Sequence, residues 1–250
     1  MIELHQFRPF WGLPNASPFC MKVETYLRFR EIPYRTVPSG PRRSPTGQIP
    51  FIVEDGRVIT DSEAIIQHFE ARQPEHLNAG LEARERAAAF FVRELVEDRL
   101  YWQITYMRWG DPAGWAVFRP DLVAKLPTFM RGPLLFAIRR TLLRRMRRRG
   151  LSPADPEGAY GRGKPVLDAL AGFLGDRSYF LGETPRTLDM SLYAFLANII
   201  DQPYGSPLQA HARGHDNLVA YCRRMQERCF PDYPPPADLS PERRNVITAS

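Results

Sequence analysis

Cysteine is scarce in this chain: Cys20, Cys222 and Cys229 are the only three among 250 residues. So sparse a set builds no disulfide framework, which predicts free thiols and a reducing, cytosolic setting. Lysine is equally rare, at 22, 125 and 164 alone, so the basic charge is almost all arginine. That bias fits a GC-rich bacterial genome. No apolar run approaches the roughly 20 residues that span a bilayer, and the stretch 133–138 is far too short. Residues 1–5 show no basic segment leading into an apolar one, so no secretory leader is expected. No internal repeat is present. What remains is ordinary: 44% hydrophobic and 25% charged residues, the proportions of a soluble globular chain of one large or two small domains.

The formal charge of +6 invites a nucleic-acid reading. Seven arginines without one acid lie between Arg139 and Arg149, and without them the balance is −1. Leu134, Leu135, Ile138, Leu142 and Met146 recur there at helical spacing, giving a basic amphipathic helix. Its bland reading is an apolar stripe packed inward with solvated arginines. The alternatives are an anionic membrane or an acidic partner, or arginines that rim a cleft and draw in anionic substrates. With no recognised motif or aromatic platform, nucleic acid is not expected.

Residues 1–76 alternate strand and helix. Residues 2–7 and 34–37 read as strands, and 18–30 as a helix with Phe19, Val23, Tyr26, Leu27 and Phe29 on its apolar face. Residues 51–53 and 58–60 flank Asp55-Gly56, the strongest hairpin signal in the chain, and 62–71 closes the unit as a helix. From 82 to 230 the pattern is helical only, with a long stretch at 82–109 and further helices near 121–130, 133–149, 156–175, 188–200 and 216–229. Residues 231–250 form a Pro-rich, irregular tail. The fold class is therefore α/β followed by all-α.

Three segments of the first unit carry chemistry. Ser17-Pro18-Phe19-Cys20 opens the first helix, where Ser17 can cap. Equally, its hydroxyl beside the helix N–H groups can stabilise a thiolate. Cys-x-x-Cys redox cycling at this helix is excluded, because Ser17 stands at the first position. Ile49-Pro50 precedes the hairpin. A cis bond there would turn the Ile49 backbone outward to pair with an extended peptide. Thr60-Asp61-Ser62-Glu63 opens the next helix, where Thr60 with Glu63 spells a capping box and Asp61 or Ser62 could equally cap. Asp61 and Ser62 could instead hold the charged end of a ligand.

The order and spacing of these segments resemble the glutathione transferase superfamily, with a thioredoxin-like N-terminal domain and an all-helical C-terminal domain. The resemblance spans about residues 2–230. It is strongest to the metaxin and failed-axon-connections branch, through residues 17–24 and 218–231. Leu181-Gly182 and Thr187-Leu188-Asp189 look like the superfamily's second-domain helix-start motif. Arg186 stands where that motif carries Ser or Thr, so Thr187 is expected to cap, with Asp189 buried or bonded to the loop. The resemblance implies that glutathione is a substrate and that Ser17 activates its thiol, with Asn15, Trp11 or Cys20 as alternative groups. It further implies that Gln48, Ile49 and Pro50 anchor the tripeptide and that Asp61 and Ser62 hold its γ-glutamyl end. A small apolar electrophile would meet Phe10, Trp11, Leu13, Tyr101, Tyr106 and Trp109, in a homodimer. A metaxin-like scaffold without turnover and a Cys20-dependent thiol reductase are the other readings. His211 and His215 have metal-ligand spacing, but with Gly214 between them the segment reads as a loop, and no metal is expected.

Overall fold

The computed structural model describes residues 1–124, 132–203 and 205–233. Strands β1 (Ile2–Gln6), β2 (Tyr34–Pro38), β3 (Phe51–Glu54) and β4 (Arg57–Thr60) form one sheet in the order β2-β1-β3-β4. β1 and β2 run parallel through the crossover helix α1 (Pro18–Phe29), and the other two pairings are antiparallel. Asp55 and Gly56 both take positive φ in the β3–β4 turn, as a tight two-residue hairpin requires. Helix α2 (Ser62–Glu70) completes the thioredoxin-like unit. The register fixes where its loops meet. His5 at the end of β1 faces Phe51 at the start of β3, and Phe51 faces Thr60 at the end of β4. The segments leaving β1, entering β3 and leaving β4 therefore gather at one end of the sheet.

The second unit is helical. One long rod contains α3 (Ala83–Leu95) and α4 (Tyr101–Thr105), each followed by a π-type turn, Val96–Leu100 and Tyr106–Gly110. Then come α5 (Pro112–Ala124), α6 (Pro133–Arg148), α7 (Pro156–Gly161), α8 (Lys164–Leu174), α9 (Thr187–Ile200), α10 (Pro207–Arg213) and α11 (Asp216–Cys229). Residues 125–130, part of an expected helix, lie outside the described residues, and α5 begins well before that expectation. The expected helix over 156–175 is two helices. The expected loop around His211 is instead α10, capped by Ser206 accepting from the Gln209 N–H at 3.1 Å. Tail residues 234–250 also lie outside the described residues. Its first turn is docked, with Asp232 bonded to Arg28 at 2.5 Å.

Helix α9 is the spine of the molecule. Every residue from Leu188 to Ile200 is buried, the mark of an apolar helix enclosed on all sides. It packs against α1 of the first unit, where Phe19 meets Phe195 edge-on at 5.3 Å, so one apolar core runs through both units. The start of α9 also grips the linker. Asn78 bonds Thr187 at its hydroxyl (2.7 Å) and backbone (3.2 Å), while Arg186 donates to the carbonyls of Leu77 (2.6 Å) and Ala79 (2.9 Å). The cap of α9 is Arg186 and not Thr187, whose hydroxyl goes to Asn78. Asp189 is fully buried, and its carboxylate accepts from the N–H groups of Arg186 (2.7 Å) and Phe180 (3.2 Å).

Candidate functional site

Ser17 caps α1, its Oγ accepting from the Cys20 N–H at 3.4 Å. A hydroxyl that accepts keeps its own proton to donate. The loop before it is held from two sides. Asn15 is fully buried and donates to the Phe7 carbonyl at 2.8 Å, while its Oδ1 accepts the Ser17 N–H at 2.9 Å. The amide that could have replaced Ser17 as thiol donor is thus spent on placing it. Trp11 is likewise engaged, its indole N–H donating to Asp121 at 2.5 Å.

Cys20 is corrected as a reacting group. Its side chain is fully buried, and that burial pushes the thiol up to about 12 against hydrogen bonds from Ser17 and the Phe7 backbone. Thiolate chemistry needs a low pKa and access, and Cys20 has neither. Cys222 and Cys229 are also free and buried.

At the second segment the Ile49–Pro50 bond is cis. Pro50 is buried, Ile49 half-buried and Gln48 exposed. At the third, the cap of α2 is Asp61 and not Thr60. Asp61 Oδ1 accepts from the N–H groups of Glu63 (2.9 Å) and Ala64 (3.0 Å). One oxygen takes both donors, leaving Oδ2 for a ligand. Asp61 sits at φ +75°, a conformation that costs a non-glycine residue about 1–3 kcal/mol and collects at functional sites. Ser62 follows, 5% exposed, and among the described residues no protein group bonds its hydroxyl.

Glu63 belongs to a network that the sequence did not reveal. Burial opposes its charge, yet Lys22 and Arg93 hold its carboxyl below the ordinary range. Lys22, fully buried on α1, reaches Glu63 at 2.8 Å and Glu97 at 2.7 Å, and Ser191 of α9 donates to Glu97 at 2.7 Å. A buried cation survives only when paired, and here the pairing ties α1, α2, the α3–α4 rod and α9 together beneath Ser62. Only a lysine on an apolar helix face hinted at this.

The expected apolar pocket is partly realised. Phe10, Trp11 and Trp109 join an aromatic cluster with Phe118 at ring separations of 5.7, 5.4 and 5.1 Å, and Trp115 stacks on Trp109 at 5.3 Å. Phe118 and Trp115 escaped the sequence reading because they lie in a helix it did not place. Tyr101 is half-buried beside Phe19 at 5.5 Å. Leu13 and Tyr106 are corrected: both are buried in the core, and Tyr106 donates to the Ser152 carbonyl at 3.1 Å. Arg108 also went unread. It is buried, donates to the Ala16 carbonyl just before Ser17, and meets Asn198 Oδ1 at 2.7 Å.

The arginine helix α6 packs by part of its expected stripe: Leu135 and Met146 are buried and Leu142 lies against the core with Leu143, whereas Ile138 is exposed. Arg139 lies over Trp115 at 4.5 Å and Arg149 pairs with Asp98 at 2.8 Å. A groove of about 410 Å³, lined by Phe136, Arg139, Arg140, Leu143, Arg144 and Arg147, opens on this helix. It shares no residue with the Ser17–Ser62 end of the sheet. No helix among the described residues is long and apolar enough to cross a membrane.

Comparison with known proteins agrees with the two-unit fold. Residues 18–114 match the glutathione S-transferase N-terminal domain family, and residues 163–225 match the glutathione S-transferase C-terminal domain family. The chain is 33% identical over 236 residues to an isoprene-epoxide–glutathione S-transferase of Rhodococcus sp. (91% of this chain, 99% of the relative). It is 31% identical over 249 residues to Failed axon connections of Drosophila melanogaster (93% of this chain, 59% of the relative). It is 30% identical to metaxin-1 of Macaca fascicularis (94% and 78%). Among solved structures, a glutathione S-transferase from Methylobacterium radiotolerans in complex with glutathione sulfonate superposes with a TM-score of 0.59 at 18% identity (95% and 96% covered), a likeness of fold. The chain belongs to the glutathione transferase superfamily, with homologues in its metaxin-like branch.

Proposed function

We propose that this protein conjugates glutathione to a small, apolar electrophile. The observation that carries the reading is the strand register, His5 to Phe51 to Thr60. It collects Ser17, Ile49-Pro50 and Asp61-Ser62 at one sheet end, with a helix N-terminus beside each serine. Ser17 donates to the sulfur and stabilises the thiolate, and the Ile49 backbone anchors the cysteinyl unit. Ser62 and the N–H groups of α2 hold the γ-glutamyl carboxylate, while Asp61 Oδ2 receives its ammonium. The Phe10–Trp11–Trp109–Phe118 cluster supplies an apolar wall for the second substrate. An epoxide suits this reading, in keeping with the name of the Rhodococcus relative. The sulfur electron pair forms the C–S bond as the C–O bond breaks, and the alkoxide takes a proton from water.

Calorimetry with glutathione, alongside turnover of a generic aryl halide and a small epoxide, tests the proposal. Ser62→Ala is expected to weaken glutathione binding about tenfold, the worth of one hydrogen bond to a charged group. Ser17→Ala should lower turnover while leaving binding nearly intact. No wild-type binding at millimolar glutathione would overturn the reading.

The proposal extends to a cytosolic homodimer. Phe90 and Phe91 of α3 stand 52% and 68% exposed, an apolar patch that a second copy would cover; light scattering reads the mass. A second reading, a scaffold without turnover, is favoured by α6, where Phe136 and Ile138 are exposed among arginines. Its occupant would be an anionic lipid surface, and co-sedimentation with anionic vesicles at low and high salt decides it.

A further inference from the structure

Helix α10 brings together three side chains that the glutathione reading does not use. His211, in its last turn, and His215, the cap residue of α11, both aim Nε2 at one oxygen of Asp168 on α8, at 2.6 and 2.9 Å. Their rings stand edge-to-face with centroids 5.2 Å apart. The three potential ligand atoms lie within 4.8 Å of one another. Each comes from a different helix, and the turn between the histidines is firm, with Gly214 N–H on the Ala210 carbonyl at 3.1 Å and His215 N–H on the Ala212 carbonyl at 3.2 Å.

We propose that Asp168, His211 and His215 form a binding site for a divalent transition-metal ion of the zinc class, which clips α8 to the α10–α11 turn. Two imidazole nitrogens and a carboxylate suit Zn²⁺, Co²⁺ or Ni²⁺ over Mg²⁺ or Ca²⁺, which prefer all-oxygen shells. Tetrahedral ligands at about 2.0–2.1 Å from zinc sit roughly 3.3 Å apart. To reach that spacing His211 Nε2 and His215 Nε2 draw back from Asp168 Oδ1 by about 0.7 and 0.4 Å. All three are partly or largely exposed, so this motion disturbs no core packing, and water completes the fourth position. An ordinary anchor would need one histidine on this carboxylate. Two converging nitrogens, four residues apart on either side of a tight turn, make a three-point ligand set.

The test uses tag-free full-length protein, calorimetry with ZnCl₂, and the visible spectrum with CoCl₂. One equivalent of Zn²⁺ should bind at micromolar Kd and raise Tm by roughly 5 °C when saturating. Co²⁺ should give the intense visible bands of tetrahedral coordination. His211→Ala, His215→Ala and Asp168→Asn should each weaken binding at least about tenfold, since two ligands hold an ion poorly. A His76→Ala control should bind like wild type. Absence of wild-type Zn²⁺ binding below millimolar concentration overturns the proposal. So does undiminished binding in the His211 and His215 variants, which would place the ion elsewhere. Glutathione binding by the same variants should stay unchanged, so a failure here is distinguishable from a failure of the conjugation reading.

Discussion

Ser62 and Lys22 occupy adjoining layers at the start of α2, and their energetics differ in kind. On the proposed reading Ser62 gives its buried hydroxyl to the ligand, so its removal is expected to cost binding and little stability. Lys22 sits fully buried between Glu63 and Glu97, and its removal strands two carboxylates. Lys22→Met is therefore expected to destabilise the fold by about 3 kcal/mol, the cost of breaking a buried ion pair from one side; urea unfolding measures it. A near-neutral result would show that the network is solvated. The cysteines set another residue-scale expectation. All three are buried, so an aromatic disulfide reagent should find none in the native protein and all three after denaturation. Rapid native reaction at Cys20 would revive the thiol-reductase reading.

At the scale of elements, the start of α9 is where stability concentrates. Asp189 satisfies two backbone N–H groups, those of Arg186 and Phe180, inside a fully buried helix. Asp189→Ala leaves both unpaired in an apolar setting and should cost roughly 2–4 kcal/mol, read as a lowered denaturation midpoint. Little change would mean that the loop repairs its own bonds. The strands and most helices were legible in the sequence because they obey one period: alternation at β1, the Asp55-Gly56 turn between β3 and β4, and the Leu/Met stripe of α6. What stayed hidden lacked a period. The short α10 and the Pro112 start of α5 announce themselves only through a Ser-Pro cap and an Asp-Pro turn. The burial of Tyr106 depends on a partner more than 40 residues away, the Ser152 carbonyl. Of the candidate site, Ser17, Ile49-Pro50 and Ser62 could be read from position, whereas Arg108 and the Lys22 network arise only when two domains close.

For the whole molecule, the +6 charge is not a global property. It is α6 and the Arg149 that follows it, with Arg139 lying over Trp115, Arg149 paired to Asp98 at the surface, and the other arginines of the segment exposed. The buried carboxylate of α9 gives the molecule a pH signature. Burial pushes Asp189 up to about 6, although the N–H groups of Arg186 and Phe180 act against it. The unfolded chain releases that proton near about 4. Between these values the folded state holds more protons, so the contribution of Asp189 to stability falls as pH rises through 6. The stability of wild type relative to Asp189→Asn should accordingly decline from pH 5 to pH 7 and then level off, whereas a constant difference would show that Asp189 is ionised throughout.

Activation of a glutathione thiol at this sheet end can be tested without knowing the electrophile. Ultraviolet difference absorbance reports the thiolate of glutathione bound to the protein as pH is varied. The bound thiol is expected to titrate at least one unit below its free value of about 8.5, and to return toward that value in Ser17→Ala. A bound thiol titrating as it does in solution, or a shift untouched by Ser17→Ala, would contradict it.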